Sequence, residues 1–139
     1  MKKIPDHVRE FITRIPIIYV ATADRHGAPH MAAVQGLTLV DDDHLSFTSW
    51  FCPITVANVS ESPHVALTVW DPAQNRGFQL LGSIEKVEDL AVLDGYVPSV
   101  EKAGSIPQVQ RRLLMRVNRI LDFRCGPHSD AAIHSHEGH

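Results

Sequence analysis

Leu45-Ser46-Phe47-Thr48-Ser49-Trp50-Phe51, then Cys52-Pro53-Ile54-Thr55-Val56-Ala57-Asn58-Val59, then Ser62-Pro63-His64-Val65-Ala66-Leu67, is the stretch on which the reading of this chain turns. It spells a strand, a tight entry into a short helix, and a second strand. Pro53 suits a first helical position, because its missing N–H is one that a helix start leaves unpaired anyway. The N–H groups of Ile54 and Thr55 then stand free beside the hydroxyls of Thr48, Ser49 and Thr55, a composition suited to a small anion such as a phosphate. A plain connecting helix after a proline has the same local signature, so the stretch alone leaves both readings open.

Working outward, 139 residues of which 44% are apolar support one core and not two. The net charge is −3, with acidic and basic residues intermixed, which offers no basic face for nucleic acid. Arg111, Arg112, Arg116, Arg119 and Arg124 do crowd together. Alternation along a strand would send Arg116 and Arg124 to one face and Arg119 to the other, diluting any patch. Cys52 and Cys125 lie far apart without metal-ligand spacing, which predicts a reduced, cytoplasmic setting. The opening MKKIPDHVREF lacks the apolar run of a signal peptide, and no stretch approaches the length of a membrane span. A protein with no membrane partner is expected.

Ile4, Val8, Phe11, Ile12 and Ile15 recur at helical spacing between Pro5 and Pro16, which predicts one amphipathic helix. From Ile17 the pattern turns β-branched, and Asp24-Arg25-His26-Gly27-Ala28-Pro29 supplies turn chemistry before a strand from His30 to Val40. Asp41-Asp42-Asp43 makes the next turn. After the central helix come a strand at Val65–Asp71, a loop from Pro72 to Gly77, and a long strand over Phe78–Glu88 with Gly82 as a bulge or bend. Residues 89–111 are mixed, with helical turns expected around Leu90, Val92, Leu93 and Tyr96. A final strand follows, with Leu113, Met115, Val117, Leu121 and Phe123 on one face and Arg116, Asn118, Asp122 and Arg124 on the other. Short strands with hairpin turns and few helices indicate a mainly β, six-stranded antiparallel barrel rather than a doubly wound sheet.

Few residues carry chemistry of their own. Asp41–Asp43 reads as a solvated turn, and no Ser-His-Asp or Cys-His arrangement can be assembled, so no catalytic residue is assigned. Cys52, before a proline at a helix start, reads as structural. His134, His136 and His139 in the terminal AIHSHEGH read as a mobile, solvated tail rather than a metal site. Trp50 and Phe51 are equally placed to cover a flat ring or to fill core and interface.

The order of these pieces resembles the pyridoxamine 5′-phosphate oxidase-like flavoproteins, the FMN-binding split-barrel family. The matching segments are Gly27-Ala28-Pro29-His30, Phe47-Thr48-Ser49, Thr55-Val56-Ala57-Asn58-Val59, Ser62-Pro63-His64-Val65-Ala66-Leu67, and Gly77-Phe78-Gln79-Leu80-Leu81-Gly82-Ser83. The resemblance covers residues 1–124 as one FMN-binding domain and leaves 125–139 as a His-rich flexible tail. It implies a split barrel that forms a homodimer with FMN at each end of the subunit interface; deazaflavin and haem are the alternative cofactors. Carried over residue by residue, Thr48, Ser49, Trp50 and Thr55 would hold the phosphate and ribityl chain. Ala33, Val34 and Gln35 would run beside the isoalloxazine, with Gln79 approaching from the long strand. The family usually places a Lys at or beside the helix start, where this chain has Ile54 and Thr55; that charge-assisted contact is lost unless another cation substitutes, and Arg116 or Arg76 could supply it. The activity implied is that of a flavin-dependent oxidoreductase taking electrons from a nicotinamide or another small molecule. The alternative is a non-enzymatic carrier of flavin or haem.

Overall fold

Apolar residues alternate along every strand so that one face of each can be buried, and the barrel is the arrangement that buries all of those faces together. In the computed structural model, which describes residues 3–16, 18–50, 53–92, 109–127 and 129–134 and the side chains of these except at 50, 90–92 and 109, two helices accompany seven strands. In chain order these are α1 (Asp6–Arg14), β1 (Ile18–Ala23), β2 (Pro29–Leu39), β3 (His44–Trp50), α2 (Pro53–Glu61), β4 (His64–Asp71), β5 (Arg76–Val92), β6 (Val109–Asp122) and β7 (Ala132–Ile133). The sheet order is β3-β2-β1-β4-β5-β6-β7, and an additional β3–β6 pairing closes six of the strands into an antiparallel barrel. This is the six-stranded split barrel read from the sequence. No helix among the described residues is long and apolar enough to cross a membrane.

Ile18, Val20, Leu45, Phe47, Leu67, Val69, Leu80, Leu113, Met115 and Ile120 fill the interior. Pro5 immediately precedes α1, whose Val8, Phe11 and Ile12, with Ile4 before it, are buried against that core. Fully burying each such side chain contributes about 1.5–3 kcal/mol, which fixes a nine-residue helix too short to persist alone. The Phe11 ring meets Phe78 edge to face at 5.3 Å. On α2, Thr55, Asn58 and Val59 are buried, and Asn58 reaches β1.

The β5–β6 pair departs from the sequence reading at three places. Leu81 pairs with Arg119 and Gly82 with Val117, so Asn118 is an extra residue on β6. That bulge reverses the alternation. Ile120 and Asp122, not Leu121 and Phe123, continue the buried row of Leu113, Met115 and Val117, and Arg116 and Arg119 are both exposed rather than on opposite faces. A Cβ at Gly82, facing this bulge, would lie 1.9 Å from the Arg116 carbonyl oxygen, so only glycine allows the two backbones to approach. Glu85 and Leu90 are the corresponding extra residues on β5. The pair also runs longer than expected: residues 89–92 and 109–111 are strand, not helical turns, while Leu93 and Tyr96 fall outside the described residues.

Beyond Asp122 the chain turns back on β6. Asp122 N donates to Ala131 O at 2.8 Å, Asn75 Nδ2 to Cys125 O at 2.8 Å, and Ile120 pairs with Ile133. Part of the segment read as a tail is therefore an edge strand, and His136 and His139 fall outside the described residues.

Candidate functional site

Gln35 on β2 faces Thr48 on β3, and the Thr48 hydroxyl donates to the Gln35 carbonyl oxygen at 3.1 Å. Immediately after Gln35 the register slips by one residue before Thr38 meets Ser46. Gly36 makes the slip, with φ of +68°, a conformation that costs an L-residue roughly 1–2 kcal/mol. A Cβ there would stand 2.6 Å from Thr48 Oγ1, so the bulge is moulded on that hydroxyl.

On the other side of β3, Thr48 pairs with Arg112 and Ser49 with Arg111 on β6. Residues paired across an antiparallel ladder share a face, which places Arg112 beside Thr48 on the outside of the barrel. Arg111 Nε lies 3.1 Å from Asp89 Oδ1; Arg112 is exposed and makes no ion pair among the described residues. The start of α2 follows β3, and its first N–H groups have no carbonyl partner within the helix. Thr55 is buried, and its Oγ1 is enclosed without a hydrogen-bond partner among the described residues, so α2 presents backbone rather than this hydroxyl to the outside.

The remaining residues singled out in the sequence divide into three groups. Ala33 is exposed beside Gln35, whereas Val34 is buried in the core and leaves only its backbone to the site. Gln79 lies in the same row of the sheet as Ala33, through Tyr19 and Thr68, three strand spacings or roughly 14 Å away. The backbone of Trp50 continues β3 opposite Gln110, and its side chain lies outside the described set, as does all of Cys52.

Arg116 is not brought to this surface. It pairs with His44 at the opposite end of β3, four residues or roughly 13 Å along β6 from Arg112. Its Nε lies 2.9 Å from Glu85 Oε2 and its guanidinium 3.1 Å from Asp43 Oδ2, so its charge is already matched. Arg76, the other candidate cation, stacks over Phe11 and Phe78 at 5.6 and 5.9 Å. The arginine that β6 sets beside Thr48 is Arg112. Its signal in the sequence was the alternation of β6 counted back from the β3 pairing, which needs the barrel's closing register to be known.

A second polar cluster was also hidden in the sequence. His44 Nδ1 lies 2.8 Å from Asp41 Oδ1 and 2.9 Å from Asp43 Oδ1, and its Nε2 lies 2.8 Å from Glu85 Oε1. Asp43 and His44 are half-buried, so the acidic run is not a simple solvated turn. Burial alone would push the imidazole down, but the hydrogen bonds to Asp41 and Glu85, with the negative charges of Asp41 and Asp43, together hold it above its ordinary value. The hydrogen bond with His44 lowers Asp41, and those with Arg116 and then His44 lower Glu85.

The sequence profile of the family described as Pyridoxamine 5'-phosphate oxidase matches residues 4–119. No curated protein matches the sequence. Among solved structures, HupZ of Group A Streptococcus is similar at 18% identity and a TM-score of 0.65, with 92% of this chain and 98% of that chain covered. An FMN-binding protein from Syntrophomonas wolfei is 17% identical at a TM-score of 0.64, with 83% and 82% covered. An F420 reductase is 16% identical at a TM-score of 0.61, with 84% and 98% covered. At these identities the structures establish a shared fold, and the profile match over most of the barrel carries the assignment: the chain belongs to the pyridoxamine 5′-phosphate oxidase family.

Proposed function

We propose that this chain is an FMN-binding flavoprotein, a cytoplasmic homodimer that acts as an oxidoreductase on a nicotinamide or another small-molecule electron donor. The observation that supports the reading is the surface built where the Gly36 bulge seats the Thr48 hydroxyl, with Arg112 across the β3–β6 ladder. A hydroxyl, an exposed guanidinium that makes no ion pair among the described residues, and the N-terminus of α2 are the donors that a phosphate dianion needs. Arg112 supplies the positive charge that a lysine at the helix start provides in the family. The row Ala33, Tyr19, Thr68, Gln79 gives a small and aromatic surface with hydrogen-bonding groups at one side, which suits a flat heterocycle. When bound, the flavin supplies reversible electron transfer, and the protein's own residues bind, orient and shield it.

The outer face of the same sheet supports the homodimer. Tyr19 is 39% and Met31 63% exposed. A nearby open groove of about 400 Å³ has Ala21, Ala66 and Leu81 in its lining together with the polar His64, Asn118 and Arg119. A second copy covering this face would remove Tyr19, Met31 and the apolar part of the groove from water and enclose the row next to the proposed flavin.

The test is the visible spectrum of the purified protein, followed by titration of the apo form with FMN, riboflavin, a deazaflavin and haem. FMN binding well above riboflavin, and bleaching of the flavin band on anaerobic addition of NADH or NADPH, is the expected result. Equal affinity for FMN and riboflavin would overturn the phosphate surface. A flavin reduced only by dithionite would assign the protein as a carrier, and a Soret band would assign it to haem.

A further inference from the structure

Both ring nitrogens of His44 lie within 2.9 Å of carboxylate oxygens: Nδ1 of Asp41 and Asp43, Nε2 of Glu85. A neutral imidazole carries one N–H, so its second nitrogen would turn a lone pair toward a carboxylate; only the doubly protonated ring donates at both ends. Arg116 completes a ring of charges by bridging Glu85 and Asp43, leaving three carboxylates matched by two cations when His44 is protonated and by one when it is not. In isolation the Asp41, Asp43 and His44 donors resemble a divalent-cation set, but the guanidinium seated against Asp43 already fills that role.

The position of this ring gives it a consequence. His44 and Arg116 are a paired couple of the β3–β6 ladder, the one contact that closes the barrel. Asp41 and Asp43 belong to the β2–β3 turn, Glu85 to the bulge on β5 and Arg116 to β6. The turn is also held through its backbone: Asp41 O accepts from the Arg9 guanidinium of α1, Asp42 O from Ile4 N and Asp43 O from Val117 N. The groups facing His44 are thus Asp41 and Asp43 from the turn, Glu85 from β5 and the cation Arg116 from β6; Arg9 of α1 meets only the turn's backbone.

We propose that this cluster is a proton-operated clamp, in which an imidazolium at His44 fastens the β2–β3 turn to β5 and β6 and its deprotonation loosens the seam that closes the barrel. A histidine held above its ordinary value contributes stability that is fully present below the unfolded-state value and is lost as pH rises through the folded one. The proposal is independent of the cofactor reading, because it concerns the folded chain alone.

The test is urea unfolding of the full chain in EDTA, from about pH 5.5 to about pH 9, for wild type and His44→Gln. Wild type should lose stability across this range with the slope of about one extra proton bound by the native state, and His44→Gln should lack that component. The two midpoints should therefore draw together as pH rises. A constant gap between them overturns the clamp, as does a wild-type slope that disappears in EDTA, which would mark a metal-dependent effect. Should His44→Gln not fold, Glu85→Gln must move the wild-type descent to lower pH, and an unmoved descent overturns the proposal equally. Nitrogen-15 correlation spectra near neutral pH give a direct readout, in which His44 must show both ring nitrogens protonated; a single neutral tautomer overturns it.

Discussion

The Asn58 side-chain amide donates to the Thr22 hydroxyl over 2.9 Å, with both side chains buried, and so ties α2 to β1. Thr22→Val keeps the shape of the site and removes the acceptor, leaving an amide enclosed without its partner. A loss of about 1–3 kcal/mol in urea unfolding is expected. The double change Thr22→Val with Asn58→Leu should cost less than the sum of the two single changes, because it removes the polar pair together.

Gly82→Ala places a Cβ against a backbone carbonyl that has no rotamer by which to yield. The expected loss is at least the roughly 1–3 kcal/mol of an overpacked core, seen as a lowered thermal midpoint. Gly36→Ala is the informative contrast. There the obstacles are a side-chain hydroxyl and the left-handed backbone, the latter worth roughly 1–2 kcal/mol, so the fold should persist with that loss while Thr48 is displaced and FMN affinity falls.

Arg112→Gln tests the phosphate surface without touching the core. Loss of a charge-assisted contact, worth about 1.5–3 kcal/mol, should weaken FMN by roughly 10- to 150-fold and leave riboflavin affinity unchanged. Arg116→Gln should leave the ratio of FMN to riboflavin affinity where it is in wild type, because its guanidinium is spent on Asp43 and Glu85. Equal effects of the two substitutions on that ratio would contradict the assignment.

The acid limb has its own sign. Asp41 and Glu85 are held below their ordinary carboxylate values, so their contribution is present above the unfolded-state values and is lost as pH falls through the folded ones. Wild type should therefore lose stability in acid more steeply than Asp41→Asn or Glu85→Gln, as measured by the urea midpoint from about pH 5 down to about pH 2.

The barrel was legible in the sequence because alternation and turn chemistry are local signals. Ile4, Val8, Phe11 and Ile12 marked α1, and Asp24 to Pro29 marked the first hairpin, from residues close in the chain. What was not legible depends on pairings across it. The ring around His44 is completed by Glu85 and Arg116 from β5 and β6, and the residue opposite Thr48 is Arg112; neither relation has a local pattern. Arg116 could be offered as a phosphate partner because its charge and its place on the final strand were readable, while the register that sets it opposite His44 was not.

The Asn118 bulge gives β6 two reading frames: residues before it point one way by parity and residues after it the other. Deleting that single residue would leave every turn and loop length untouched and every pairing as it is, with Val117 and Arg119 then adjacent opposite Gly82 and Leu81, so Ile120 and Asp122 would still face inward and the local kink alone would be lost. Removing a paired residue, such as Leu114 or Leu121, would instead turn part of the buried row outward, so variation in length among functional relatives should fall in the turns or at position 118 and spare the paired positions of this strand.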